Sequence, residues 1–147
     1  MKMPVIATVI IVFVIAFAFN LIKRHKKWKK KVAVLKQQRS GATKGDFIEY
    51  FLGKGYTAAT ITLVYDKVQD YFKGDHLVLL PEDDFQGVYE IDDEEWEYVL
   101  ESWFKEIGTQ IPPQRYFDYL NSKYASVSFD YLMELMQGKV TGYNTRG

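Results

Sequence analysis

Residues 82–97 hold nine Asp or Glu and no Lys or Arg, the densest set of groups in this chain that could do chemistry. Three uses are open to such a cluster. The first is a divalent-cation site, with Asp83, Asp84, Asp92 and Asp93 as ligands. The D-x-[DN]-x-[DN]-G spacing with Glu at its twelfth position, which wraps calcium, is absent. The second is acid–base work by a carboxylate pair, which needs one carboxyl desolvated to raise its pKa. Consecutive exposed acids at a helix start do not supply that. The third is docking of a partner with a basic surface, for which Glu94, Glu95, Glu97 and Glu101 are the candidates. The plain alternative is a solubilising face whose first acids cap a helix.

Other chemistry-bearing residues are sparse. There is no cysteine, hence no disulfide, thiolate nucleophile or zinc–sulfur site, and only two histidines, His25 and His76. His76 follows Asp75 and could be a base with an orienting acid, but no nucleophile signature accompanies it. The Gly53-Lys54-Gly55 turn is too short for a phosphate loop, which requires G-x-x-x-x-G-K-[ST] after a strand. No enzyme and no cofactor is therefore expected. The twenty aromatics in residues 45–147 could line a ligand pocket, but they fall mostly on helical faces and read as core.

The acids must be positioned by helices. Asp46 can N-cap a short helix bearing Phe47, Ile48, Tyr50, Phe51 and Leu52, ended by Gly53 and Gly55. Thr57 caps a stronger one, with Ile61, Val64, Tyr65, Val68, Tyr71 and Phe72 on one face. Gly74 closes it. The run 76–80 reads as a strand or an extended loop, and the lack of a partner strand favours the loop. Asp92 or Asp93 caps the next helix, whose acidic first turn suits the helix dipole. Trp96, Val99, Leu100, Trp103, Phe104 and Ile107 form its apolar face, and Gly108 its C-cap. After Pro112-Pro113, residues 115–120 give one or two turns. Ser126 or Ser128 caps a last helix with Phe129, Leu132, Met133 and Met136. The fold class is all-α, an antiparallel bundle of three main helices plus shorter pieces.

Charge and hydropathy divide the chain. Residues 4–22 contain only Thr8 and Asn20 as polar residues and, as a helix, span roughly 28 Å, close to a bilayer's hydrocarbon core. Lys2 and the Ala16-x-Ala18 pair would suit a signal peptide. Against that, Lys23, Arg24, Lys26, Lys27, Lys29, Lys30 and Lys31 follow directly and oppose translocation, with Trp28 among them at headgroup depth. These cations should meet anionic lipid headgroups, each contributing about 1 kcal/mol. The organisation expected is a transmembrane helix over 1–22, a basic juxtamembrane linker over 23–45 whose helix frays toward Gly41 and Gly45, an acidic helical domain over 46–137, and a flexible tail over 138–147. Residues 45–147 carry eight Lys/Arg against nineteen Asp/Glu, a net of −11. Such a domain should avoid nucleic acid, whose binding needs clustered cations. A single-pass protein with its C-terminal domain in the cytoplasm is expected.

The order of elements resembles the acyl carrier protein fold. Residues 80–85 (Leu-Pro-Glu-Asp-Asp-Phe) resemble the carrier's first loop, and Asp92 to Pro112 (DDEEWEYVLESWFKEIGTQIP) resembles its second helix and following turn. The likeness covers roughly residues 56–137 and is nearest to uncharacterised bacterial carrier-like proteins. It implies a small helical bundle that meets partner enzymes through an acidic helix. Carriers also have an Asp-Ser-Leu tripeptide whose serine receives phosphopantetheine. This chain has Asp92-Asp93-Glu94 there, so Asp93 stands in the serine's place and the prosthetic arm is in doubt. Ser102, Ser122, Ser126 and Ser128 lack the Asp-Ser-Leu setting. The function expected is a membrane-anchored, non-enzymatic interaction module. The alternative is an atypical acyl or peptidyl carrier working at the membrane.

Overall fold

The computed structural model describes residues 3–72 and 74–140. It is all-helical, with six helices and no strand among the described residues: α1 Met3–Gln38, α2 Lys44–Gly53, α3 Ala58–Tyr71, α4 Asp93–Ile107, α5 Gln114–Lys123 and α6 Phe129–Val140. The chain divides after Gly41 into two compact units.

The first unit is dominated by α1. Its Val, Ile and Phe side chains from Val5 to Ile22 are exposed, as expected of a helix whose solvent is lipid. Among the described residues it is the one helix long and apolar enough to cross a membrane. The helix does not fray where the sequence suggested. It runs unbroken through the basic cluster to Gln38, because Ala33, Leu35, Lys36, Gln37 and Gln38 all have high helix propensity and no Gly or Pro intervenes before Gly41. The stretch 23–45 is thus divided: residues 23–38 are helical, and Lys44 and Gly45 already belong to α2.

In the second unit, α2 begins earlier than expected. Thr43 is the N-cap. Its hydroxyl oxygen accepts from the Asp46 amide at 3.2 Å, and the Asp46 carboxylate accepts from the Thr43 amide at 2.7 Å. Asp46 is therefore the third residue of a capping box and not the cap itself, and both orphan amides are satisfied at once. Thr57 caps α3, with the Thr60 amide 3.3 Å from its hydroxyl. Ser128 is the serine that caps α6, accepting from the Tyr131 amide at 3.2 Å. Residues 138–140 continue α6, and the rest of the expected tail, 141–147, lies outside the described residues.

Helix α3 is central, packing against α2 and α6. Phe129 is the hub of the core: its ring centroid lies 4.9 Å from that of Phe47 and 4.8 Å from that of Phe85, edge-on in both cases. Phe85 in turn meets Trp96 at 4.8 Å. Aromatic pairs in this geometry contribute about 0.5–1.5 kcal/mol each beyond their buried area. Polar ties hold the periphery, with Lys44 on Asp66 at 2.6 Å and Lys54 on Asp130 at 2.8 Å.

The connection from α3 to α4 is extended over 75–80 and turn-rich beyond. Leu77, Leu79, Phe85, Tyr89 and Ile91 are buried, so this loop is part of the core. Asp83 is buried within it. Its carboxylate accepts from the Leu80 amide at 2.8 Å and from the Tyr89 hydroxyl. The Asp84 carboxylate accepts from the Gln86 amide at 3.1 Å and its carbonyl from the Val88 amide at 2.7 Å.

Candidate partner-docking groove

Helix α4 carries the candidate site. Asp92 is its N-cap, accepting from the Glu95 amide at 2.8 Å, and Asp93, Glu94 and Glu95 fill the first turn. There the unsatisfied amides and the helix dipole favour negative charge. Gly108 ends the helix in the left-handed region at φ 72°. Trp96, Leu100, Trp103 and Phe104 are buried; Val99 is half-buried and Ile107 exposed, so the apolar face is narrower than its spacing suggested.

Two rows run side by side along this helix. Trp96, Leu100 and Phe104 repeat every four residues and form the floor of a groove of about 450 Å³. Asp93, Glu97 and Glu101 repeat with the same period and form its rim. Phe117 and Asn121 of α5 stand on another wall, and Tyr131 of α6 lines it too. No Lys or Arg lines the groove. The rim carboxylates have no cation partner among the described residues, whereas Asp66, Asp130, Glu106 and Glu134 each hold a lysine. Burial pushes the Tyr131 phenol pKa up, and the charges of Asp93 and Glu97 push it further, so the field of the rim reaches this side chain.

The four glutamates singled out in the sequence do not act as one surface. All are exposed. Glu97 and Glu101 border the groove, and Glu94 does not. Glu95, about a quarter-turn round the helix from Glu94, accepts a hydrogen bond from the Tyr71 hydroxyl of α3. Burial raises the Tyr71 phenol pKa first, and the Glu95 hydrogen bond and charge add to it. Glu95 is thus engaged within the bundle. Asp93, set against the carrier serine, is the missing member of the acidic row.

The other candidates are dispersed. Asp83 and Asp84 are occupied in holding their loop, and no group of three or more His, Asp or Glu among the described residues is placed to hold a metal. His76 is exposed in the loop. Lys54 pairs with Asp130. The Ser102 hydroxyl faces Glu106 at 3.5 Å, and the Ser122 hydroxyl donates to the Tyr119 carbonyl at 2.7 Å. Lys23, Arg24, Lys26, Lys27, Trp28, Lys29, Lys30 and Lys31 all lie on α1, and Lys23 Nζ sits 5.1 Å from the Phe19 ring centroid.

The far wall is longer than the one or two turns expected over 115–120. Helix α5 runs for ten residues and begins directly after Pro113, which serves as its N-cap without a side-chain bond. The signal was present: Phe117, Leu120 and Tyr124 follow one another at three and four residues, a helical face. Tyr131 lies one residue before Leu132, off the apolar stripe of Phe129, Leu132, Met133 and Met136. The chain matches no family model, no curated protein and no solved structure.

Proposed function

We propose that the protein is a single-pass membrane protein holding a non-enzymatic, carrier-like interaction domain at the cytoplasmic face, where the acidic edge of α4 docks a partner with a basic surface. The observation that carries this reading is the row Asp93–Glu97–Glu101, which has no cation partner among the described residues and lines a groove without Lys or Arg, whereas Lys44, Lys54, Lys67 and Lys123 each pair with another acid. Charge of one sign along an exposed edge steers and selects partners of the opposite sign. The exposed apolar length of α1 supports the anchor. Seven basic residues over 23–31 support the cytoplasmic orientation and contact with anionic headgroups. The carrier-like reading draws on element order: α3, a loop with a buried acid, α4 with an acidic cap, a shorter α5 and a capped α6.

A photo-crosslinker placed at Glu94, exposed and beside the row, tests the docking. In native membranes it should trap a partner, with yield rising as salt falls. Reversing Glu97 and Glu101 to Lys should abolish the adduct without loss of helicity. Adducts that survive the reversal, or none at all, would leave the acidic edge as a solubilising surface.

A further inference from the structure

We propose that Lys23, Lys27 and Lys30 of α1 form a column that binds one phospholipid whose headgroup carries phosphate monoesters in addition to its diester. This rests on the anchor reading above, in which the basic segment meets anionic headgroups, and names the headgroup chemistry it takes.

The column exists because α1 does not break. It runs from Met3 to Gln38 as one helix. Steps of four and then three residues bring Lys23, Lys27 and Lys30 within about 60° of one another on one side of a helix. All three are exposed, and none pairs with an acid among the described residues. Residues 23–44 contain no Asp or Glu to relieve their mutual repulsion. A frayed linker would let these cations spread apart, whereas the helix keeps them stacked.

A second observation sets their depth. The Val, Ile, Leu and Phe side chains from Val5 to Ile22 are exposed, so Ile22 marks the edge of the hydrocarbon and Lys23 follows directly. Lys30 then stands about 10 Å further along the helix. The headgroup layer on each side of a bilayer is only about 5–8 Å thick. Helix side chains lean toward the N-terminus, here toward the bilayer. Lys23 shows that lean, with its Nζ reaching back to 5.1 Å from the Phe19 ring centroid. The lean lowers all three ammonium groups alike and leaves them at successive depths. A tilt of about 20°, usual for a membrane helix, shortens the column by less than about a tenth.

Depth selects the ligand. Phosphatidylserine offers one phosphate at one level, and cardiolipin offers two phosphates side by side at the same level. Neither meets both ends of a column that stands along the membrane normal. A ring bearing phosphate monoesters above its diester presents anions at several depths, and each monoester carries about −1.5 to −2 charges. Lysine suits this, because its ammonium is a compact charge with three donors on a flexible stem.

The test uses the full-length chain in nanodiscs of phosphatidylcholine doped with phosphatidylinositol bisphosphate, phosphatidylserine or cardiolipin to the same total charge. The protein is released intact in a mass spectrometer and its retained lipids are counted. One bisphosphate per chain is expected, with phosphatidylserine and cardiolipin retained at least tenfold less. The combined Lys23→Gln, Lys27→Gln and Lys30→Gln substitutions should cut bisphosphate retention at least tenfold. Arg24→Gln, Lys29→Gln and Lys36→Gln together remove the same charge from other sides of the helix and should cut it less than twofold. Circular dichroism should show unchanged helicity in both variants. Equal retention of the three lipids, or equal loss in the two variants, overturns the proposal. If all three anionic lipids are retained alike above phosphatidylcholine, contact with anionic headgroups stands and only the column's selectivity falls. If none is retained above phosphatidylcholine, both fall.

Discussion

The Tyr124 hydroxyl donates a 2.6 Å hydrogen bond to Glu134 Oε2, the same oxygen that accepts Lys123 Nζ at 2.7 Å. Tyr119 donates to the other oxygen at 3.0 Å, and the Tyr116 hydroxyl donates to the Glu134 carbonyl at 3.0 Å. Four side chains at α5 and its C-cap thus converge on one residue of α6. Helix α5 fully buries only Leu120 of its own residues, so this polar tie does much to hold the far wall of the groove.

The tie gives a pH dependence with a definite sign. Burial works to raise the Glu134 pKa, but hydrogen bonds from Lys123, Tyr124 and Tyr119 outweigh it and hold the carboxyl below its ordinary 4.5. A depressed folded pKa contributes stability that is complete above the unfolded value and lost as pH falls through the folded one. Glu134→Gln should therefore cost about 1–2 kcal/mol at neutral pH. The gap between the two proteins should close below pH 4.5. Urea unfolding at a series of pH values measures it, and a gap independent of pH would show that the charge of Glu134 is not what holds α5.

Phe129 should be the most sensitive core position tested by truncation, because α2, the α3–α4 loop and α6 meet at its ring. It is 0 % exposed. Phe129→Ala is expected to cost about 3–5 kcal/mol, against a total of about 5–15 kcal/mol for such a domain. The conservative Phe129→Leu should lose less. Equal melting temperatures for Phe129→Ala and wild type would contradict the packing.

Legibility in the sequence followed the range of the physics. Local signals are the most legible: the Thr57 cap, a cap at Asp92 or Asp93, the C-cap Gly108, the apolar period of α3 and the four buried members of the α4 stripe are decided within a turn or two. Where two local signals compete, the boundary goes to the one with the reciprocal partner. Asp46 is a good N-cap residue, but Thr43 three residues earlier makes a reciprocal pair with it and displaces the start of α2. The basic cluster has the composition of a linker, yet lysine is a good helix former and α1 continues through it. The groove was only half legible. Its rim shares a period with the apolar row, but its opposite wall needs α5 held against α6 by contacts between residues such as Tyr119 and Glu134, which no local rule reveals. Glu95 is indistinguishable from the free acids in sequence because its Tyr71 partner lies 24 residues away.

The carrier alternative has its own test. Asp93 offers a carboxylate where a carrier offers a hydroxyl. Ser128 is engaged in capping α6, and Ser122 donates to a carbonyl. Incubation with coenzyme A and a broad-specificity phosphopantetheinyl transferase should leave the intact mass unchanged. A mass increase would move the carrier reading ahead of the interaction module.

Topology can be read without background, since the chain has no cysteine. Glu82 is exposed in the α3–α4 loop, so Glu82→Cys supplies one reactive thiol at little cost to the fold. In intact cells this thiol should resist a membrane-impermeant maleimide and react after permeabilisation, because dense positive charge next to an apolar span is retained on the cytoplasmic side. The protein should stay with the membrane through a carbonate wash, whereas a chain lacking residues 1–41 should not. Replacing Lys26, Lys27, Lys29 and Lys30 with Gln leaves the apolar length of α1 intact and removes most of the orienting charge. Part of the population should then label from outside while all of it remains in the membrane. Labelling of the unaltered basic segment's protein in intact cells would reverse the orientation, and release by carbonate would remove the anchor.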